Sequence, residues 1–149
     1  MNFEISIAID RAPADVFAFL RDIDQHPRKP GSPVLALDKI TPGPVAIGTR
    51  YREVVQMMPL VRGEIRSQIT RFEPPEYLAM DFAGAGMSGH LAYQILSEGA
   101  GSRLIQRETL AAHGLLKPLA PIISRMLAPR LQARLEAIKT LLESTANPP

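Results

Sequence analysis

The sequence contains no cysteine and no tryptophan among its 149 residues. Without cysteine the chain has no disulfide, no thiolate nucleophile and no cysteine-ligated metal. No apolar run approaches the roughly 18 residues of a membrane-spanning helix. The N-terminal segment carries acidic residues at Glu4 and Asp10, so it is not a signal peptide. These absences predict a cytoplasmic protein with no stable membrane insertion.

A large excess of charge is also missing, because the formal net charge is only +2. Lysine and arginine are spread along the chain, which excludes the basic stripe that a nucleic-acid-binding protein needs. Hydrophobic residues make up 46% and charged residues 21%, as in ordinary globular proteins. The length fits one domain over residues 1–149.

Short apolar segments separated by glycine and proline fill most of the chain. Apolar residues from Phe3 to Ile9 alternate with polar or small ones, which is typical of a half-buried strand. The turn sequences TPGP, MP, EPPE, GAG and EGAGS separate further segments of this kind and are short enough for antiparallel hairpins. They predict strands over residues 34–40, 48–57, 61–72, 77–82, 87–96 and 103–111.

Two segments have helical patterns. Proline is tolerated in a first helical turn, so residues 10–13 predict the start of a short helix that continues to Arg21 and ends before residues 24–27. After His113 and Gly114 the apolar spacing changes to about 3.6 residues, which predicts one long amphipathic helix. Pro129 should kink this helix, and residues 144–149 should fray.

Four segments resemble one known family: IDRAPADVFAFLRD, IGTRYREV, ITRFEPPEYLAMDF and GSRLIQRETL. They are similar to the START-like (SRPBCC) superfamily, the polyketide cyclase/dehydrase and lipid transport group. The resemblance implies an α+β helix-grip fold, in which a curved antiparallel sheet of about seven strands wraps around a long C-terminal helix, with two short helices after the first strand. It also implies a cavity between sheet and helix. Members differ widely in activity, so these markers of fold carry little information about chemistry.

The alternation of apolar residues predicts which side chains face that cavity. The strands would contribute Tyr51, Val55, Met57, Leu78, Met80, Phe82, Leu91, Tyr93 and Ile95, and the helix Leu119, Ile122, Ile123, Met126 and Leu127. Alternatively, these residues simply fill a close-packed core. A ligand-binding role requires a pocket of roughly 300 Å³ or more.

Polar residues share the inward parity. On the last strand Gln106 and Glu108 have the parity of Leu104 and Leu110, and Glu53 has that of Tyr51. A buried carboxylate tends to hold its proton or to find a cation, so Glu108 is a candidate acid/base group or ligand anchor. Alternatively it pairs with Arg50, Arg52 or Arg107, or a bulge exposes it.

The three histidines, His26, His90 and His113, form no metal-binding spacing, so no metal and no cofactor are predicted. His113 precedes the terminal helix and is a second candidate for proton transfer, with a solvated loop histidine as the alternative. Arg125, Arg130, Arg134, Glu136 and Lys139 are predicted to form the solvated face of the helix.

Three functions follow from these observations. The first is binding of a small hydrophobic molecule, such as a lipid, polyketide-like or aromatic compound. The second is a cyclase or dehydratase that uses Glu108 with Tyr51, Tyr93 or His113 as acid/base groups. The third is a protein-interaction module, which predicts an exposed apolar patch. The oligomeric state is open, with a homodimer as one option.

Overall fold

The computed structural model describes residues 1–26 and 32–144. Within them one antiparallel sheet contains seven strands in the order β1-β7-β6-β5-β4-β3-β2. The chain therefore meanders from β2 to β7, and β1 closes against β7. The bounds are β1 Asn2–Ile9, β2 Val34–Lys39, β3 Arg50–Met58, β4 Val61–Glu73, β5 Tyr77–Gly84, β6 Met87–Glu98 and β7 Gly101–Ala112. The predicted fold class is confirmed.

Each predicted strand lies within two residues of the observed one. The pairing register shifts between β2 and β3, between β3 and β4, and between β4 and β5. Such shifts bend a strand locally. A close approach inside the sheet requires a glycine at Gly89, because a Cβ there would lie 2.1 Å from the Thr109 carbonyl oxygen and 2.7 Å from Cζ of Phe82. The Phe82 ring therefore lies across β6.

The first strand leads into helix α1, Pro13–Arg21, and then into a 3-10 helix at Ile23–Gln25. Proline at the first position of α1 has the φ value that a helix needs. The ring of Phe17 packs edge-on against Phe72 with centroids 5.3 Å apart, which holds α1 on the concave face of the sheet. Pro27, predicted to help end this region, lies outside the described residues.

The terminal helix α2 covers Ala120–Ser144 and continues through Pro129. The preceding residues Gly114–Leu119 form a 3-10 helix, so the predicted long helix begins later than the apolar spacing indicates. Residues 145–149, where fraying is predicted, lie outside the described part of the chain. No helix in the described ranges is long and apolar enough to cross a membrane.

The C-terminal half of α2 is fixed to the rest of the molecule. Leu135, Ile138 and Leu142 are buried and belong to the main apolar core. Lys139 Nζ donates to the Ala8 carbonyl oxygen at 2.7 Å, and the Asp10 amide donates to a carboxylate oxygen of Glu143 at 3.2 Å. The C-terminal half of α2 therefore packs against β1, where its buried side chains and the hydrogen bond from Lys139 hold it.

The N-terminal half of α2 is much less buried. Ile122 and Met126 are 57% and 49% exposed, and Ile123 and Leu127 are half-buried. Among the described residues, side chains from Ala120 to Leu135 make no hydrogen bond to the sheet. This half of the helix therefore buries less apolar surface than the C-terminal half.

Candidate functional site

A small cavity lies between the sheet and the helices, where Leu20 of α1, Ile23 of the 3-10 helix and Arg134 of α2 face the strands. Its volume is about 40 Å³, and it is lined by apolar and polar side chains together. The lining residues are Leu20, Ile23, Leu37, Tyr51, Glu53, Ser67, Ile69, Leu78, Met80, Leu91, Tyr93 and Arg134. The volume is enough for a few waters at most, and it is well below the roughly 300–1,000 Å³ of ligand pockets. The expectation of a preformed pocket of ligand size is therefore not met.

The registers of β5, β6 and β7 agree with the predicted inward parity of these strands. Leu78 lies opposite Tyr93, and Met80 lies opposite Leu91, so these side chains share the concave face. On β7, Gln106 lies opposite Tyr93 and Glu108 opposite Leu91, which places both polar residues on the same face.

The predicted ligand-binding residues divide into two groups. Tyr51, Glu53, Met80, Leu91 and Tyr93 line the cavity. The others lie outside the lining of the cavity. Gln106 is buried, Leu119 and Met126 are exposed, and the remaining five are half-buried: Val55, Met57, Phe82, Ile123 and Leu127. Among the described residues, α2 reaches the cavity through Arg134, so the predicted residues of the 3-10 helix and of α2 are not part of the lining.

Arg134 corrects the sequence interpretation of the long helix. It was expected on the solvated face, but it lines the cavity from α2. The nearby Tyr93, Glu53 and Glu108 raise the pKa of its guanidinium, against the opposing effect of burial. The available signal was its spacing, since Arg134 stands four residues before Ile138 and three after Leu131, on the apolar stripe.

Glu108 is half-buried next to this lining. Burial raises its pKa above the ordinary value, and Glu53 adds to that effect. Arg134 and a hydrogen bond from Gln106 Nε2, at 3.3 Å, act in the opposite direction. Glu108 forms no ion pair among the described residues, so the alternative pairing with Arg50, Arg52 or Arg107 is wrong; Arg52 and Arg107 pair with Glu64 and Glu4 instead.

The pairing of β6 with β7 is also continuous at Glu108, so no bulge turns its side chain outward. Its neighbour Gln106 is only 1% exposed, and the amide oxygen of Gln106 has no hydrogen-bond donor in the described structure. Buried polar atoms are nearly always satisfied by protein or by water, so this oxygen calls for a donor from a water or a ligand.

Two tyrosines complete the polar part of the cavity. Tyr51 and Tyr93 are 4% and 3% exposed. Burial and the charges of Asp24 and Asp22 raise the pKa of Tyr51 to about 12. Burial is also the main cause that raises the pKa of Tyr93. Both phenols therefore stay protonated at neutral pH and can donate a hydrogen bond.

His113 lies away from this group. Its Nε2 is 2.6 Å from the Ser88 hydroxyl, on the exposed connection after β7, and it is not part of the cavity lining. The structure therefore does not bring His113 together with Glu108. In the described ranges no cluster of three His, Asp or Glu side chains is arranged to hold a metal ion.

The sequence of the chain matches a known family, and its fold matches solved structures. Residues 1–143 match the family model described as polyketide cyclase/dehydrase and lipid transport. No curated protein sequence matches the chain.

Solved structures with the same fold share little sequence identity with the chain. Ara h 8.0201 is 16% identical with a TM-score of 0.76, and the match covers 97% of this chain and 98% of that one. TTHA0849 from Thermus thermophilus is 14% identical with a TM-score of 0.76, covering 99% and 100%.

A third match is the di-domain ARO/CYC protein StfQ from the steffimycin biosynthetic pathway. It is 16% identical with a TM-score of 0.78, and the match covers 97% of this chain but 51% of StfQ. At these identities the likeness shows the fold, whereas the family model covers nearly the whole chain. The chain belongs to the polyketide cyclase/dehydrase and lipid transport family.

Proposed function

We propose that this protein binds a small, mostly apolar molecule that carries at least one polar oxygen, in the space between the sheet and α2. The observation that carries this proposal is the set of polar side chains around the cavity. Tyr51, Glu53, Tyr93 and Arg134 face an internal space, yet within the described residues their side chains make no hydrogen bond. None of their polar atoms is among the fully buried atoms without a partner in the described residues, so these atoms keep accessible surface through which a ligand can form hydrogen bonds with them.

The lining also gives the ligand's chemistry. Leu20, Ile69, Leu78 and Leu91 supply apolar walls that favour a hydrocarbon or aromatic body. The Arg134 guanidinium and the two phenols are hydrogen-bond donors, so they suit a carbonyl, phenol or carboxyl oxygen on the ligand.

Binding requires the cavity to enlarge well beyond about 40 Å³. The N-terminal half of α2 precedes Arg134, the residue of α2 that lines the cavity, and it can move at low cost, because none of its apolar residues is fully buried and it makes no side-chain hydrogen bond to the sheet in the described structure. Closing this half onto an apolar ligand would bury more of Ile123 and Leu127, which are half-buried, and about 25 cal/mol per Å² of buried apolar surface would favour the complex.

Single cysteines test this location, because the chain has none of its own. A Met80→Cys variant places a thiol in the cavity lining, and a Met58→Cys variant places one on the surface, where Met58 is 60% exposed. A panel of small aromatic and fatty acids is screened by ligand-observed NMR, and the best binder is then added during thiol labelling. We expect that binder to slow labelling of Met80→Cys and to leave Met58→Cys unchanged.

Arg134→Met and the matched variant Arg130→Met test the polar contact. Arg130 is an exposed arginine on the same helix. We expect the first variant alone to weaken binding, by about tenfold for the loss of one charged hydrogen bond. A panel without any binder, or equal labelling at both cysteines, would contradict the proposal.

A second function is favoured by one specific observation. The raised pKa of Glu108 makes a protonated carboxyl more available near neutral pH than an ordinary glutamate would. Together with the protonated phenols of Tyr51 and Tyr93, it could move protons on a bound substrate, as a cyclase or dehydratase requires. If a binder undergoes turnover, Glu108→Gln should reduce the rate by about 10²- to 10⁴-fold. Unchanged turnover would exclude Glu108 as the acid.

A further inference from the structure

One end of the molecule exposes apolar side chains that the fold does not use. The β3–β4 turn, the β5–β6 turn and the connection after β7 all lie at this end, because β3, β5 and β7 run in the same direction. The His113 amide donates to the Gly86 carbonyl oxygen, which confirms that two of these connections touch. We call the exposed apolar residues at this end the apolar rim: Met58, Leu60, Leu115, Leu119, Ile122 and Met126.

The exposure of the rim is extreme at two positions. Leu60 is fully exposed at the tip of the β3–β4 turn, and Leu115 is 93% exposed. Leu60 also has a φ of 66°, a left-handed conformation that favours glycine or asparagine. A leucine at this position buries no surface and does not suit the turn, so its side chain contributes nothing to folding.

The charge around the rim has one sign. Segments 54–63, 82–89 and 109–135 contain no aspartate or glutamate. The basic residues Arg62, Lys117, Arg125 and Arg130 are exposed there, and none forms an ion pair within the described residues. Most arginines elsewhere in the described sheet and in α1 pair with a carboxylate, for example Arg52 with Glu64 and Arg103 with Glu98.

We propose that the apolar rim docks this protein onto the surface of an anionic lipid membrane. Protruding leucines at separate turns are suited to enter the boundary between headgroups and acyl chains, while the unpaired basic residues contact lipid phosphates. A second copy of the chain would bring two acid-free basic surfaces together, so self-association through this face is disfavoured by charge.

Vesicle sedimentation tests this docking with the full-length protein. Vesicles of phosphatidylcholine alone are compared with vesicles that also contain phosphatidylglycerol. We expect the protein to sediment with the anionic vesicles only. Added salt should release it, because the Debye length, about 8 Å at physiological ionic strength, becomes shorter and the attraction between surface charges weakens.

Matched variants distinguish vesicle binding through the apolar rim from nonspecific adsorption. Leu60→Ser with Leu115→Ser should reduce binding several-fold, whereas Ile47→Ser should not, because Ile47 is 67% exposed but precedes β3 at the opposite end. Arg62→Gln should weaken binding roughly fivefold for one lost charge. Arg50→Gln, an exposed arginine at the start of β3, is the matched control.

Two results would overturn membrane docking. One is that the wild-type protein stays in the supernatant when anionic vesicles are present. This result would overturn the proposal even if the protein bound an acidic protein through the same leucines. The other is an equal loss of vesicle binding in the Ile47→Ser and Leu60→Ser/Leu115→Ser variants. Circular dichroism of each variant verifies that it is folded.

Discussion

The two halves of α2 should contribute unequally to the free energy of unfolding, and one isoleucine in each half tests the difference. Ile138 is 4% exposed and packs in the core, whereas Ile122 is 57% exposed on the same helix. Burying an isoleucine is worth about 1.5–3 kcal/mol, and the cavity left by truncation adds to the loss, so Ile138→Ala should cost about 2–5 kcal/mol.

Ile122 keeps more than half of its surface in water, so less than half of the transfer term is lost, and no closed cavity forms on truncation. Alanine also has a higher helix propensity than isoleucine, which offsets part of the loss. Ile122→Ala should therefore cost about 1 kcal/mol or less.

Urea unfolding followed by circular dichroism gives both values, with similar slopes for wild type and variants as the check on two-state behaviour. Equal losses in Ile122→Ala and Ile138→Ala would show that the N-terminal half of α2 is packed as firmly as the C-terminal half. The helix segment next to the cavity would then not be free to move, and the reasoning for ligand entry would be refuted.

Three further predictions concern single side chains. The pKa of Glu108 is higher in the folded state than in the unfolded state, so the stability that Glu108 contributes is present below about pH 4.3 and is lost as the pH rises through the folded pKa. Unfolding curves measured across this pH range should lose that dependence in Glu108→Gln. A variant with the same pH profile as the wild type would contradict this prediction. Tyr51 should ionise near pH 12 in an ultraviolet absorbance titration, and the step should vanish in Tyr51→Phe; a Tyr51 step near the ordinary value of about 10 would oppose its burial. Leu60→Asn should raise the free energy of unfolding by up to about 1 kcal/mol, because asparagine tolerates the left-handed conformation, and a destabilised variant would argue against strain at this turn.

Much of the fold could be predicted because local signals agree with the sheet. Alternation fixes which face each residue occupies, and the glycine and proline turns separate one strand from the next. The inward placement of Gln106 and Glu108 follows from the parity of Leu104 and Leu110, without any knowledge of neighbouring strands. The resemblance of whole segments to a known family supplied the position of the helix relative to the sheet.

The site was less predictable because it depends on distances between elements. Arg134 was assigned to solvent because charge alone suggested it, although its spacing from Ile138 placed it on the apolar stripe. The apolar spacing continues through both halves of the helix, so the sequence could not show that Leu135, Ile138 and Leu142 alone become fully buried among the described residues of α2. The small cavity volume is likewise a product of packing and leaves no periodic signal in a single sequence.

Native mass spectrometry of the protein purified from its own host tests the binding function most directly. We expect an additional small-molecule mass under gentle conditions that disappears on denaturation, and a lower occupancy in Arg134→Met than in Arg130→Met. A bare protein mass in every sample, together with no binder found by NMR, would contradict ligand binding between the sheet and α2.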